Sequence, residues 1–311
     1  MIKIDKQRLW VKSVENFFHC SSLFPMWFHY LISTLMFPIL YWVIGYRKKT
    51  VRSNLEMSFP EKSKKELRQI ERRFYSFFCD YIVETCKLFT ISKKNIMKRM
   101  EFEGLDEMRR VFAKHNLAFL YLGHYGCWEW ISSIRLWTGE DIDTAQLYRP
   151  LKDPAFDNVF FKLRNRFGGI NVSKYDALRR IMQFKSGSRK TFIGFLSDQS
   201  PKPEGIHDWI TFLNQPTPVV TGTERIAKKV KAAIFYGDVV RKKRGHYVCT
   251  LRLMTDDVES VPNWQITEDY MRLLEASIRR QPELWLWTHK RWKHKDLAPE
   301  KEKDDTNTKL T

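Results

Sequence analysis

From Asn16 to Tyr46 the chain has no Lys, Arg, Asp or Glu, and from Leu23 onward it is rich in Leu, Ile, Phe, Trp and Met. A helix that crosses a bilayer needs about 20 such residues. Trp27, Tyr30, Tyr41, Trp42 and Tyr46 lie toward the two ends of the stretch, where interfacial aromatic rings are expected. Arg47, Lys48, Lys49 and Arg52 follow at once, and the positive-inside tendency then keeps the downstream chain cytoplasmic. The pattern predicts an N-terminal apolar membrane-anchor helix over residues 1–46. Pro25 and Pro38 allow it to lie in the interface instead of crossing. A signal peptide fits less well, because the apolar part is too long and no small-residue cleavage site follows. The competing reading is a buried core helix.

After the anchor the periodicity changes. Leu67, Ile70, Phe74, Phe77, Phe78, Tyr81 and Leu88 recur at helical spacing behind a run of charges, which predicts a long amphipathic helix with its aromatic stripe in the core. From about residue 100 apolar runs alternate with helical patterns. Strands are predicted at 118–122, 144–148, 191–196, 232–239 and 247–253, and helices at 127–137, 154–167, 177–184, 219–229 and 267–279. This order predicts an α/β domain, residues 47–295, around a largely parallel sheet whose ligands lie beyond the carboxyl ends of the strands. The polar stretch from 296 to 311 is expected to be disordered.

Composition narrows the class of partner. The chain is 43% hydrophobic and 14% aromatic, too apolar for a disordered protein, and its length of 311 residues suffices for a substantial core. Its net charge of +18 points to anionic partners: a phospholipid surface, an acidic protein or a nucleic acid. Finger, helix-turn-helix and RNP motifs are all lacking, and the apolar N-terminus argues against nucleic acid. The runs RIAKKVK, RKKRGHY and HKRWKHK suit a landing surface for anionic lipid or an acidic protein. The five cysteines are scattered without CxxC or zinc spacing and read as reduced thiols. His207, His246, His289 and His294 lack partners at metal spacing and read as surface residues.

Candidate chemistry concentrates in LAFLYLGHYGCWEW, residues 117–130. A strand-type run ends at Leu122 and a helical pattern starts at Trp128, with His124 and Glu129 on either side of the junction. Within one regular helix, side chains five apart point about 140° away from each other. With His124 in the turn and Glu129 in the first helical turn, they can meet. Glu129 is then expected to hold one imidazole nitrogen and raise the basicity of the other, the orienter–base half of a triad whose nucleophile is a substrate hydroxyl.

His-x4-Glu after a strand resembles the His-x4-Asp/Glu motif of membrane glycerolipid acyltransferases. The surrounding sequence is more similar to the late, or secondary, acyltransferases of lipid A biosynthesis, within the lysophospholipid acyltransferase-like superfamily. Five blocks carry the likeness in order: RKKTVRSNLEMSFPE, LYRPLKDPAFDNVFFKLRNRFG, GFLSDQSPKPEG, FLNQPTPVVTGTERIAKKVKAAI and QPELWLWTHKRWK. The resemblance implies a glycerolipid-acyltransferase-like fold and a membrane-bound enzyme at the inner membrane, its catalytic domain facing the cytoplasm. It implies His124 as general base and Glu129 as its partner. Arg149 and Arg164 would hold phosphate or the developing oxyanion, and Asp198 and Gln199 would position the acceptor. The implied donor is acyl-acyl carrier protein and the implied acceptor an anionic lipid, with no metal or cofactor required. A different membrane lipid as acceptor, or a non-catalytic basic scaffold at the membrane, are the alternatives.

Overall fold

The computed structural model describes residues 6–299; the end of the expected polar tail, 300–311, lies outside them. Two N-terminal helices, α1 (Lys6–Ser22) and α2 (Met26–Pro38), come first, and α2 runs on into a π-helical turn at Ile39–Ile44. Pro38 cannot supply its backbone donor, and wider turns are one way a chain accommodates this. Gly45, at φ 62°, ends the turn in the left-handed region that favours glycine. α3 (Lys48–Ser58) and α4 (Lys64–Lys87) follow. α4 starts where a capping box fixes it: Ser63 and Glu66 satisfy each other's exposed backbone groups. The predicted aromatic stripe is indeed core, with Ile70, Phe74 and Phe77 buried.

The short α5 (Lys93–Met97) precedes the α/β unit. Along the chain come β1 (Met100–Glu103), α6 (Leu105–Phe112), β2 (Leu117–Leu122), β3 (Ile142–Tyr148), α7 (Pro154–Asn165), β4 (Ile170–Ser173), α8 (Ala177–Ser186) and β5 (Lys190–Leu196). They are followed by the hairpin β6 (Trp209–Phe212) and β7 (Gln215–Pro218), then α9 (Gly222–Val230), β8 (Ala233–Lys243), β9 (His246–Thr255) and α10 (Gln265–Arg280). Among the described residues, seven strands form one sheet in the order β1-β9-β8-β2-β5-β3-β4. All its neighbours are parallel except the β8–β9 pair. The fold is thus α/β with a mixed, largely parallel sheet, as predicted. β2 is buried along its whole length, which is why it reads as an unbroken apolar run.

One register positions the site. β2 and β5 are parallel neighbours with Leu122 opposite Leu196. The residues two places beyond each strand end, His124 and Asp198, therefore emerge side by side.

Candidate active site

The turn that carries His124 is tightly enclosed. A Cβ on Gly123 would lie 2.7 Å from the Leu274 side chain of α10, and Gly126 adopts φ 64°. The backbone is pinned by Gly126 N–H donating to the Leu284 carbonyl and Leu286 N–H donating to that of His124. The C-terminal block around Trp285 thus serves as the wall behind the turn.

Asp198 is buried and takes three hydrogen bonds: the His124 backbone N–H at 2.9 Å, the ring Nδ1–H at 2.6 Å and the Trp285 indole N–H at 2.8 Å. Burial alone would raise this carboxyl, but the charge on a protonated His124 and these hydrogen bonds hold it down to about 2. An ionised carboxylate accepts only, so Nδ1 carries a proton, and in the neutral ring the lone pair is therefore on Nε2. Nε2 faces the cleft, with the Gln199 amide nitrogen 3.3 Å away. The Trp128 ring meets the imidazole edge-to-face at 5.3 Å and stacks on Tyr81. His289, expected at the surface, is half-buried and accepts the Ser200 N–H through Nε2; burial lowers its pKa to about 4, which keeps that nitrogen an acceptor.

The expected bond between Glu129 and the imidazole is replaced by another. Glu129 is buried and holds Arg164 of α7 in a two-pronged pair, at 2.8 Å to Nε and 2.6 Å to Nη2. The segment Trp128–Leu136 winds as a 3₁₀ helix, and the place at Nδ1 is already taken by Asp198. Arg164, held in this way, lines the cleft. α7 starts after Asp153, whose carboxylate accepts the Ala155 and Phe156 N–H groups, with Pro154 in the first turn.

His124, Glu129, Arg149, Arg164 and Gln199 all line one cavity of about 760 Å³. Leu120, Ile131, Ile134, Ala145, Phe192 and Leu196 give its inner lining a largely apolar character, with Ser132, Thr144 and Gln146 among them, and Tyr148, Arg149, Lys152 and Tyr175 line its more exposed part. Arg149 and Lys152 are exposed there. Cys127 is buried beside Glu84, and burial, then the Glu84 charge, push its thiol far up; it is no thiolate.

His124 thus stands beside a cleft lined largely by apolar side chains, with the ion-paired Arg164 on its wall. This α/β fold and cleft agree with the acyltransferase resemblance of the sequence, and a family match makes the protein an acyltransferase. The model of the bacterial lipid A biosynthesis acyltransferase family matches residues 15–294, and the chain belongs to that family. Lipid A biosynthesis acyltransferase 2 of Shigella flexneri is 23% identical over 248 residues, 78% of this chain and 76% of its own. The lipid A biosynthesis myristoyltransferase of Escherichia coli (strain K12) is 23% identical over 81% of this chain and 77% of its own. The lauroyltransferase of the same organism is 24% identical over 79% of each chain.

Trp285 is the site residue that the sequence did not single out: it lies in QPELWLWTHKRWK, but nothing in its spacing says that its indole meets Asp198. Asp198, expected to position the acceptor, instead holds His124, a contact made across 74 positions of sequence by the strand register.

Proposed function

We propose that this enzyme moves a fatty acyl chain from acyl-acyl carrier protein to a hydroxyl of a lipid A precursor, with His124 as general base. The reading rests chiefly on one observation: the 2.6 Å contact of His124 Nδ1 with buried Asp198, which leaves Nε2 as acceptor over an apolar trough. The acceptor hydroxyl gives its proton to Nε2 as its oxygen attacks the thioester carbon. The carbonyl oxygen becomes an oxyanion, met by Arg164, which Glu129 holds in place. Collapse expels the thiolate, which recovers the proton from the imidazolium, leaving an ester and a free thiol. Asp198 favours the charged ring throughout. Arg149 and Lys152, exposed at the mouth, suit the phosphate of an acidic substrate. The enzyme would reside at the inner membrane with its catalytic domain toward the cytoplasm, as the apolar N-terminal helix and the basic surface favour.

The test is transfer of a labelled acyl chain from acyl-acyl carrier protein to a lipid A precursor lacking its secondary chains. Wild-type protein should give the ester, and His124→Ala should not. Transfer to a phospholipid acceptor alone would redirect the assignment, and undiminished transfer by His124→Ala would end the mechanism.

A further inference from the structure

The segment Met26–Ile44 is long and apolar enough to cross a membrane. Its 19 residues would extend about 28 Å at a rise of roughly 1.5 Å each. Its flanks oppose a crossing. Ahead of it, α1 is fastened to the catalytic domain: Glu15 pairs with Lys162 and accepts the Asn158 amide at 2.9 Å, both on α7. Lys87 of α4 donates to the carbonyls of Ser22 and Phe24 at 2.7 and 2.8 Å. Behind it, Arg47 donates to the Thr288 carbonyl at 3.0 Å and Asn54 to that of Trp287 at 2.9 Å. Both flanks hold the same body. A hydrocarbon core about 30 Å thick would separate them.

The middle of the helix is fastened too. Ser33 donates to Asp80 at 2.6 Å and Tyr30 to Glu84 at 3.0 Å, both on α4, and Arg244 reaches the Ser33 hydroxyl and the Tyr30 carbonyl at 3.2 Å. A crossing would either carry Asp80 and Arg244 toward the bilayer centre or strip them of these partners, and both are costly. The opposite face is a single stripe of exposed apolar side chains: Trp27, Leu31, Leu35, Ile39, Trp42 and Val43, 47–80% exposed. Phe17 of α1, 69% exposed, adds to this apolar surface, and Lys12, Arg47 and Lys49 are exposed on the flanks.

We propose that this segment does not cross the membrane: α1, α2 and the π-turn lie flat in one leaflet, with the exposed stripe among phospholipid acyl chains and α1 on the same side as the catalytic domain. The stripe, widened by the exposed Ile32 and Ile44, is set against the buried His29, Ser33 and Tyr41 that face the protein, as an in-plane helix requires, and cations at its borders match anionic headgroups. The inference builds on the membrane residence proposed above, but its test does not depend on activity.

The full chain is given one epitope tag at each end and exposed to protease in spheroplasts and in sealed inverted vesicles. Both tags should be cut in the same preparation and protected in the other. Tags cut from opposite sides would overturn the proposal, whereas both cut only in spheroplasts would keep the helix in-plane and refute the cytoplasmic placement. In a second arm, purified protein is floated with vesicles of phosphatidylethanolamine and phosphatidylglycerol. Leu31→Glu/Leu35→Glu/Val43→Glu should keep the wild-type melting temperature and lose about tenfold in vesicle-bound fraction, the apolar contact being removed. Undiminished flotation of that variant, or a wild type that ignores vesicles and pairs with a second copy through this face, would overturn it.

Discussion

In the mechanism proposed above, His124 serves as base only through what holds it, and that group is Asp198. Asp198→Asn should fold, since an amide can still accept a hydrogen bond, but it no longer stabilises the imidazolium. Turnover should fall by about 10²–10⁴-fold, the usual worth of a positioned base. His124→Ala should fall at least as far, and Cys127→Ala should keep most activity because its thiol is buried and protonated. Transfer of labelled acyl chain by the three variants checks this; an inactive, folded Cys127→Ala or an acylated Cys127 peptide would refute direct attack. Glu84 offers a separate test. It is buried, accepts from Tyr30 and Tyr247, and its carboxyl is pushed up to about 7 by burial and then by the Asp80 charge. The folded state therefore binds more protons than the unfolded one between about pH 4.3 and 7, so this group's contribution to stability is lost as pH rises through that window. Glu84→Gln should shrink the fall in melting temperature between pH 5 and pH 8. Parallel wild-type and variant curves would sink that account.

At the level of elements, the Glu129–Arg164 pair ties the 3₁₀ segment to α7, and both partners are largely buried. Glu129→Gln strands a buried guanidinium and should cost about 3–5 kcal/mol of stability. Arg164→Lys keeps the charge but loses the planar fork, and turnover should drop by about 10²-fold, as for a lost oxyanion donor. If Arg164→Lys matches wild type in kinetics while Glu129→Gln melts early, the pair is structural only. Elements with a local signal were legible in the sequence. β2, β5 and β8 announce themselves as apolar runs, and α7 by its Asp-Pro start. β1, β4 and the β6–β7 hairpin went unseen, being four residues each. Too few alternations fit in such a length for a period to register. The partnership of His124 was misread for a related reason. Glu129 is near in sequence, whereas Asp198 is near only once two strands are aligned, and no spacing rule carries that.

Across the whole molecule, the N-terminal helices are part of the body they would anchor. α2 and its π-turn cover the buried aromatic side of α4, where Tyr41 of the turn packs against Tyr75 at 5.3 Å between ring centroids. Deleting residues 1–46 should uncover Asp80, Glu84 and that aromatic side together, giving an aggregating chain with a lowered melting temperature. Size-exclusion chromatography and thermal melting decide it; a monodisperse, active truncation would mean the anchor is autonomous. The β2–β5 register has a consequence in time as well as in space. Because 74 positions separate His124 from Asp198, the pair cannot form until both strands and the crossovers between them have docked, and such long-range parallel pairing is slow to assemble. On the mechanism proposed above, a nascent or half-folded chain would therefore be chemically silent and would leave thioester donors intact. During refolding, the return of acyl transfer should lag the return of helical signal and mark the moment the sheet closes.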